Sequence, residues 1–328
     1  SDTRELFEAY AAGLNTYAAA NPQEVKLANL FPVSGMDVAA GFALRQPFFF
    51  GLDGVIGPLV AGEELRREHG PDIPGFPRAP LPGAEPAETA PAPKQARTLV
   101  LPLGEDADHM GSNAFAVSPR RMSDGKTWLI SNAHQPYEGP VAFYEATMHS
   151  GEGMDMAGVL FPGVPFIAFG HNRNLGWTNT VNRPDLIDVY KLVMNKAGDQ
   201  YRYDGKWMPL SSKRVWLPVK MGPFNLPVPQ TIYRSIHGPV IKNDKGYFAI
   251  RYAGIDNVKV VEQYYRNTKA TNWDEWSKSM SIGGVPATNF IYADKTGRVA
   301  YIYNALFPDR KPGYDYTKLL PGDTSAVM

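Results

Sequence analysis

The sequence predicts an α+β fold in which helices and strands occupy separate blocks of the chain. Apolar residues recur at helical spacing from Asp2 to Ala20, and a second largely apolar stretch runs from Met36 to Val60. After residue 98 the chain changes to short strand-like runs separated by turn residues. Helices at one end and strands after them are the pattern of a layered α+β protein.

The first predicted helix has one apolar face, which includes Leu6, Tyr10 and Leu14. Asp2 and Glu5 resemble a capping box at its start, and Asn21-Pro22 ends it. A later helix is predicted to begin near Thr271, because the apolar residues that follow it recur at helical spacing. These residues are Trp273, Trp276 and Met280.

The strand-like runs combine β-branched and aromatic residues with flanking turn residues. They cover residues 114–117, 127–131, 142–148, 166–169, 189–193 and 247–252. Residues 289–293 and 298–304 predict a hairpin, since Asp294-Lys295-Thr296-Gly297 between them is a turn sequence.

Composition excludes several classes of protein. The 328 residues include 33 basic and 33 acidic side chains, whereas a nucleic-acid-binding protein usually has a basic excess. There is no cysteine, which excludes disulfides, thiolate metal sites and a cysteine nucleophile. No apolar run approaches the ~20 residues that a membrane-spanning helix needs. The chain begins with Ser1 and opens directly in a helix, so we expect both ends to belong to a longer protein.

A proline-rich segment separates the two blocks. Eight of the 23 residues from 71 to 93 are proline, a composition that does not pack a core and is typical of an exposed linker. We therefore predict a mostly helical segment at 1–70, a spacer at 71–111 and a β-rich segment at 112–328.

Most familiar catalytic motifs are missing, including G-x-S-x-G, the Walker loop and H-E-x-x-H. The six histidines are scattered, and no pair has the close spacing of a zinc site on one element. Composition and periodicity alone do not distinguish Ser112 from an ordinary serine in a turn before a strand.

A series of short strings carries more information. Gly111-Ser112-Asn113-Ala114-Phe115-Ala116-Val117 follows the acidic stretch Gly104-Glu105-Asp106-Ala107-Asp108-His109. Further strings follow in order: SNAH at 131–134, FPG at 161–163, GHN at 170–172, LGWTNTVN at 175–182, DLID at 185–188, HGPV at 237–240 and NFIYAD at 289–294. Together they resemble the penicillin acylase family, which includes cephalosporin acylases and N-acyl-homoserine-lactone acylases.

The resemblance implies a four-layer αββα sandwich of the N-terminal-nucleophile hydrolases. It also implies that residues 1–70 end an α-chain segment and residues 112–328 begin the β-chain segment of one precursor. The precursor would be cut between Gly111 and Ser112. Ser112 would then be the nucleophile, with its own α-amine as base, because that amine has a pKa of roughly 7.7–8.0 and is partly neutral near physiological pH.

Other site residues are implied by the same resemblance. His134 would hold Ser112 in place by hydrogen bonding, and the backbone N–H of Val181 would form half of an oxyanion hole. The other half would be an asparagine beyond Met328. Gln135 replaces an aromatic pocket residue of several relatives. From the residues alone, His134 and Val181 could equally be structural.

A pocket and a metal site are the remaining implications. Phe49 and Phe50, with Phe48, would line the acyl pocket, although an aromatic triplet is also ordinary core. Asp185 and Asp188, with the Ile187 carbonyl, match ligands of a structural calcium. Calcium requires six or more oxygens, so a solvated acidic turn is the alternative.

The resemblance implies hydrolysis of a non-peptide amide in an acylated small molecule, such as an acyl-homoserine lactone or a β-lactam. It implies a periplasmic or secreted protein that needs no cofactor for its chemistry and binds neither nucleic acid nor membrane. Two alternatives remain: a non-catalytic binding protein on the same fold, and a carbohydrate-binding protein, for which six Trp and 17 Tyr are suitable.

Overall fold

The computed structural model describes residues 1–62, 65, 111–138, 141–182, 184–221 and 224–328, so the predicted spacer at 71–111 lies almost wholly outside the described residues. Contacts divide the chain into two units. The first comprises Ser1–Gly51, Val100–Asp185 and Asp256–Leu306, and the second comprises Leu52–Leu99, Leu186–Ile255 and Phe307–Met328. Helices and antiparallel sheets coexist, which confirms the α+β prediction.

The described helices are α1 (Asp2–Ala20), α2 (Gly35–Ala43), α3 (Leu52–Ala61), α4 (Val260–Lys269) and α5 (Trp273–Met280). The described strands are β1 (Gly111–Val117), β2 (Trp128–His134), β3 (Tyr144–Ser150), β4 (Met154–Leu160), β5 (Phe169–His171), β6 (Leu175–Thr180), β7 (Ile187–Leu192), β8 (Gln200–Tyr203), β9 (Lys206–Pro209), β10 (Ser211–Met221), β11 (Phe224–Ser235), β12 (Gly238–Asn243), β13 (Gly246–Tyr252), β14 (Ala287–Asp294), β15 (Val299–Ala305) and β16 (Leu320–Pro321).

A six-stranded sheet in the order β15-β14-β6-β5-β4-β3 is the centre of the first unit. Alternate residues of β14 point to the helices: Phe290 contacts Tyr264 of α4 and Trp276 of α5, and Tyr292 also contacts Trp276. Phe42 of α2 packs edge-on against Tyr264 with ring centroids 5.8 Å apart. Burying an aromatic side chain of this size stabilises the fold by about 1.5–3 kcal/mol.

The antiparallel pair β1–β2 covers the opposite face of this sheet. Ser131 of β2 is hydrogen-bonded to Thr178 of β6 at 2.5 Å. Gly176 of β6 leaves room for Leu129 of β2, because a Cβ at Gly176 would lie 3.0 Å from the leucine side chain. The described residues of the first unit thus supply a helical layer and two sheet layers of the predicted four-layer sandwich.

Helix starts show where the sequence reading was right and where it was wrong. The predicted bounds of α1 are confirmed, but the predicted capping box at Asp2 is not formed. Asp2 lies inside the helix, where its carboxylate accepts two hydrogen bonds from Arg266, and this hydrogen bonding lowers its pKa. A capping box forms instead at α2, between Ser34 and Asp37.

The second unit contains a six-stranded sheet in the order β10-β11-β12-β13-β7-β16. Its core includes Tyr190, Leu192, Val240 and Leu320. His237 is buried there, with its ring stacked on Tyr190 at 4.3 Å, and its Nε2–H donates to the Gly322 carbonyl at 3.0 Å. None of the described helices is long and apolar enough to cross a bilayer.

Candidate active site

Ser112 lies near the start of β1, directly after the predicted cleavage point. The two strands of the pair are aligned so that Gly111 lies opposite His134 and Ser112 lies opposite Ala133. The Ser112 hydroxyl donates a hydrogen bond to the carbonyl oxygen of Gly111. The hydroxyl oxygen therefore lies at the carbonyl group of the bond whose cleavage the resemblance predicts.

The His134 ring lies beside Gly111. A Cβ built on Gly111 would be 3.3 Å from Nδ1 of His134, so glycine is the residue that leaves this ring room. The amide nitrogens of Asn113 and Asn132 lie 3.3 and 3.2 Å from Nε2 of the same ring. These two contacts hold the His134 ring between β1 and β2, with Nδ1 on the Gly111 side.

One cavity of about 50 Å³ brings four predicted site residues together. Ser112, Gln135, Val181 and Phe49 all line it. The remaining described lining residues are Gln46, Ala133, Phe143, Phe161, Ala168, Phe169, Asn179, Thr180, Tyr264, Ala287 and Thr288. The nucleophile and the oxyanion donor predicted from the resemblance thus share one cavity in the first unit.

The wall of this cavity is mainly aromatic. Phe143 packs against Phe161 with ring centroids 4.8 Å apart and edge-on against Phe169 at 5.1 Å. Phe49 contacts the same Phe161 at 5.8 Å. Burial raises the pKa of the Tyr264 phenol, which stays neutral. None of the described lining residues is charged, so the cavity suits a neutral, largely apolar group.

Two amide side chains interrupt this apolar wall. The Nδ2 group of Asn179 donates to the Asn289 carbonyl at 3.0 Å, while its Oδ1 is buried with no hydrogen-bond partner among the described residues. Oε1 of Gln135 is likewise buried and has no partner in the described part of the chain. Asn179 stands in one of the strings that carry the family resemblance and Gln135 directly follows another, but the resemblance assigns neither of them this polar role.

Phe50 is buried, yet it is not among the described residues that line the cavity. The side chain of Phe48 lies outside the described part of the structure. Gln46 and Tyr264 also line the cavity, and neither stands in a string that carries the resemblance.

The predicted calcium ligands have a different setting. The Asp188 carboxylate is buried and accepts hydrogen bonds from the Arg310 guanidinium at 2.8 and 3.1 Å. Among the described residues no group of three or more His, Cys, Asp or Glu side chains could hold a metal ion. Asp185 and the Ile187 carbonyl therefore stay predicted ligands.

An α-helical layer on a sheet, with a second sheet carrying a serine at the start of a strand, is the architecture of an N-terminal-nucleophile hydrolase. The penicillin amidase family model matches residues 1–327, and the chain belongs to this family. The structure of a thermostable penicillin G acylase from Alcaligenes faecalis is similar with a TM-score of 0.57 at 25% identity, over 64% of this chain and 38% of that chain.

Curated relatives point to acylases as well. The acyl-homoserine lactone acylase PvdQ of Pseudomonas fluorescens strain Pf0-1 is 28% identical over 94% of this chain and 39% of its own length. PvdQ of Pseudomonas savastanoi pv. phaseolicola is 31% identical over 61% of this chain and 27% of its own length. The chain spans less than half the length of each of these proteins.

Proposed function

We propose that this chain carries the nucleophile of an enzyme that hydrolyses the amide bond between an acyl group and a non-peptide amine. The observation that carries the proposal is the shared cavity: Ser112, Val181 and an uncharged, mainly aromatic wall meet in one place. A nucleophile, an oxyanion donor and an acyl pocket are the parts that acyl transfer requires.

The first step in this proposal is self-cleavage. The Ser112 hydroxyl attacks the carbonyl carbon of Gly111, and the amide becomes an ester as the acyl group moves from nitrogen to oxygen. Water then hydrolyses the ester, which releases the Gly111 carboxyl group and frees the α-amine of Ser112. The hydrogen bond between the Ser112 hydroxyl and the Gly111 carbonyl supports this step, as does the position of Nδ1 of His134 beside Gly111.

Turnover uses the same hydroxyl. The freed α-amine takes the proton of Ser112 as its oxygen attacks the substrate carbonyl, and the Val181 N–H stabilises the oxyanion. The amine product leaves with a proton, and water releases the acid from the acyl-enzyme. One well-placed oxyanion donor contributes about 2.7–4 kcal/mol of transition-state stabilisation.

The relatives guide the choice of substrate. Acylases of acyl-homoserine lactones and a penicillin G acylase both cleave an acyl group from a small amine, as their names state. We extend this class of substrate to the present protein, with acyl-homoserine lactones first and β-lactams second. The α- and β-segments of one precursor are the proposed partner chains, and the periplasm or the exterior is the proposed location.

A structural calcium at Asp185, Ile187 and Asp188 is also proposed, on the resemblance alone. The ion pair between Asp188 and Arg310 limits the charge that this carboxylate offers to a cation. Melting of the purified protein with and without a chelator tests the site, since an ion bound only by the folded state raises the melting temperature.

Mass spectrometry of the full-length protein tests the main proposal. We expect two chains split before residue 112 in the wild type and one uncut chain in Ser112→Ala, which should also lose the hydrolysis of acyl-homoserine lactones. Ser123→Ala is the matched control, because Ser123 is an exposed serine outside the cavity. An alanine variant at 112 that is still cut in purified form would refute self-cleavage by Ser112.

A further inference from the structure

Strands β10 and β11 form a two-stranded arm at one edge of the sheet in the second unit. β10 pairs with β11 from Ser211 to Met221, whereas β11 pairs with β12 only from Tyr233 to Ser235. We name residues 211–235 the arm. We propose that one face of the arm binds the surface of an anionic phospholipid bilayer, a property beyond the proposed function and contrary to the expectation that the protein binds no membrane.

The proposed binding face of the arm is apolar and exposed. Residues directly opposite each other in an antiparallel pair, and residues two apart along a strand, lie on the same face. The register therefore puts three consecutive apolar pairs on one face: Leu217–Val228, Val219–Leu226 and Met221–Phe224. Each of these six side chains is 38–68% exposed. Contiguous exposed apolar side chains mark an interaction site, so we expect this face to contact a partner.

The charge around this face favours an anionic partner. Residues 205–243 contain no acidic residue and six basic ones, which are Lys206, Lys213, Arg214, Lys220, Arg234 and Lys242. Lys213 lies on the apolar face, opposite Ile232, and the neighbouring Arg214 is also exposed. A lysine or arginine near an anionic lipid surface strengthens binding by about fivefold. Apolar side chains beside basic ones, with no carboxylate to oppose them, are the composition of segments that lie in a bilayer interface.

The prolines of the arm favour a bilayer over the strand of another protein as this partner. Pro218 lies opposite Pro227, and Pro229 follows two residues later. Proline has no backbone N–H, so within a ladder it is tolerated where its nitrogen points away from the neighbouring strand. The outer edges of the arm therefore lack donors that an added strand would need. A bilayer contacts the face of the arm and requires no such donors.

The other face of the arm supplies a matched control. Trp216 lies opposite Pro229, one position out of step with the apolar pairs, and is 61% exposed. It is therefore about as accessible as Phe224, which is 68% exposed, but it lies on the face opposite the proposed binding face. General hydrophobic adhesion would involve both residues, whereas binding through the apolar face involves Phe224 and not Trp216.

The test uses full-length protein and unilamellar vesicles made of phosphatidylcholine alone or of phosphatidylcholine and phosphatidylglycerol in equal parts. Sedimentation with the vesicles measures the bound fraction of the protein. We expect binding to the anionic vesicles to be at least about tenfold tighter, and to weaken as salt is raised because salt screens the surface charges. No sedimentation with either kind of vesicle, or equal binding to both, overturns the inference.

Variants assign the binding to one face. Phe224→Ser should weaken binding to the anionic vesicles by about tenfold, whereas Trp216→Ser should bind like the wild type. Lys213→Gln should weaken binding to the anionic vesicles by about fivefold and leave binding to phosphatidylcholine vesicles unchanged. All three side chains are exposed, so each variant should melt at the wild-type temperature. An equal loss of binding in Trp216→Ser and Phe224→Ser contradicts the inference.

Two further measurements detect other coverings of the face. A dimer of full-length protein that Phe224→Ser dissociates, as measured by light scattering, would show that a second copy covers the face and would overturn the inference. The 328 residues contain no cysteine, so Phe224→Cys puts a thiol on the face, with the wild type as blank. Reaction of this thiol with a water-soluble maleimide supports the inference, whereas protection without lipid means that another segment of the protein covers the face and overturns it. None of these measurements depends on the chemistry of Ser112.

Discussion

The Ser112 cavity and the Asp188 ion pair both bury polar groups, but the described residues supply hydrogen-bond partners to the Asp188 carboxylate and none to Oδ1 of Asn179. Asp188 is paired with Arg310 at 2.8 Å, whereas Oδ1 of Asn179 has no partner among the described residues. Breaking a buried pair leaves an uncompensated charge, whereas a buried polar group without a partner already costs its desolvation free energy in the folded state. The same resemblance marked both regions, and hydrogen bonding separates their roles.

The largest effect should come from breaking the ion pair. Arg310→Met would remove the guanidinium that pairs with the buried Asp188 carboxylate, and we expect the free energy of unfolding to fall by about 3–5 kcal/mol. Urea denaturation measures this. Arg173→Met is the matched control, because Arg173 pairs with Asp155 on the exposed surface and such pairs contribute about 0–1 kcal/mol.

A double variant sharpens that result. Arg310→Met combined with Asp188→Leu should be more stable than Arg310→Met alone, since both charges of the buried pair are then removed. If Arg310→Met unfolds at the same urea concentration as the wild type, Asp188 is satisfied by something other than Arg310, and the contrast with the cavity fails.

The next largest effect concerns maturation on the cavity side. His134→Ala removes the ring beside Gly111, and we expect cleavage before Ser112 to slow by about 100-fold, as for loss of a proton-transfer group. His134→Gln should keep much of the rate because its amide can still donate toward Gly111. Intact mass followed over time gives the rate. His149→Ala, at an exposed histidine of β3, is the control, and wild-type cleavage in His134→Ala would contradict the role.

The smallest effect is a pH dependence in the second unit. Burial lowers the pKa of His237 below its usual value of 6.5. The imidazole of His237 therefore binds a proton more readily in the unfolded chain than in the folded state. Stability should be complete above about pH 6.5 and decline as the pH falls toward the folded pKa, by up to about 1.4 kcal/mol per pH unit.

Replacing the imidazole tests this sign. His237→Phe keeps an aromatic ring against Tyr190, so the protein should be less stable overall but lose less stability between neutral and acidic pH. His171→Phe, at an exposed histidine, should leave the slope unchanged. An equal acid slope in wild type and His237→Phe would show that other groups cause it.

Local pattern predicted the elements with strong periodicity. The first helix and the hairpin of β14 and β15 are confirmed. The strand predicted at 166–169 is wrong except for Phe169, because an apolar run in a buried segment does not by itself specify a ladder. The long pair β10–β11 was missed because Pro218 lies opposite Pro227 within it, and proline usually marks the end of a strand.

The candidate site also contains residues that the sequence indicated and residues that it did not. Ser112, Val181, Phe49 and Gln135 line one cavity, and the roles that the resemblance implies for them stay predictions. Tyr264 could not be predicted, since a helix more than a hundred residues away in sequence carries it there. The unpaired oxygen of Asn179 depends on a hydrogen bond to another strand, which is a tertiary fact that local spacing does not contain.

The pairing of Gly111 with His134 makes the proposed cleavage depend on folding. Under the proposed self-cleavage, the imidazole of His134 lies beside the target bond only when β1 and β2 have paired. A nascent or misassembled copy has no such ladder, so it keeps its peptide bond and its latent amine. Cleavage then occurs only in copies in which the β1–β2 pair has formed, so activity is limited to folded copies.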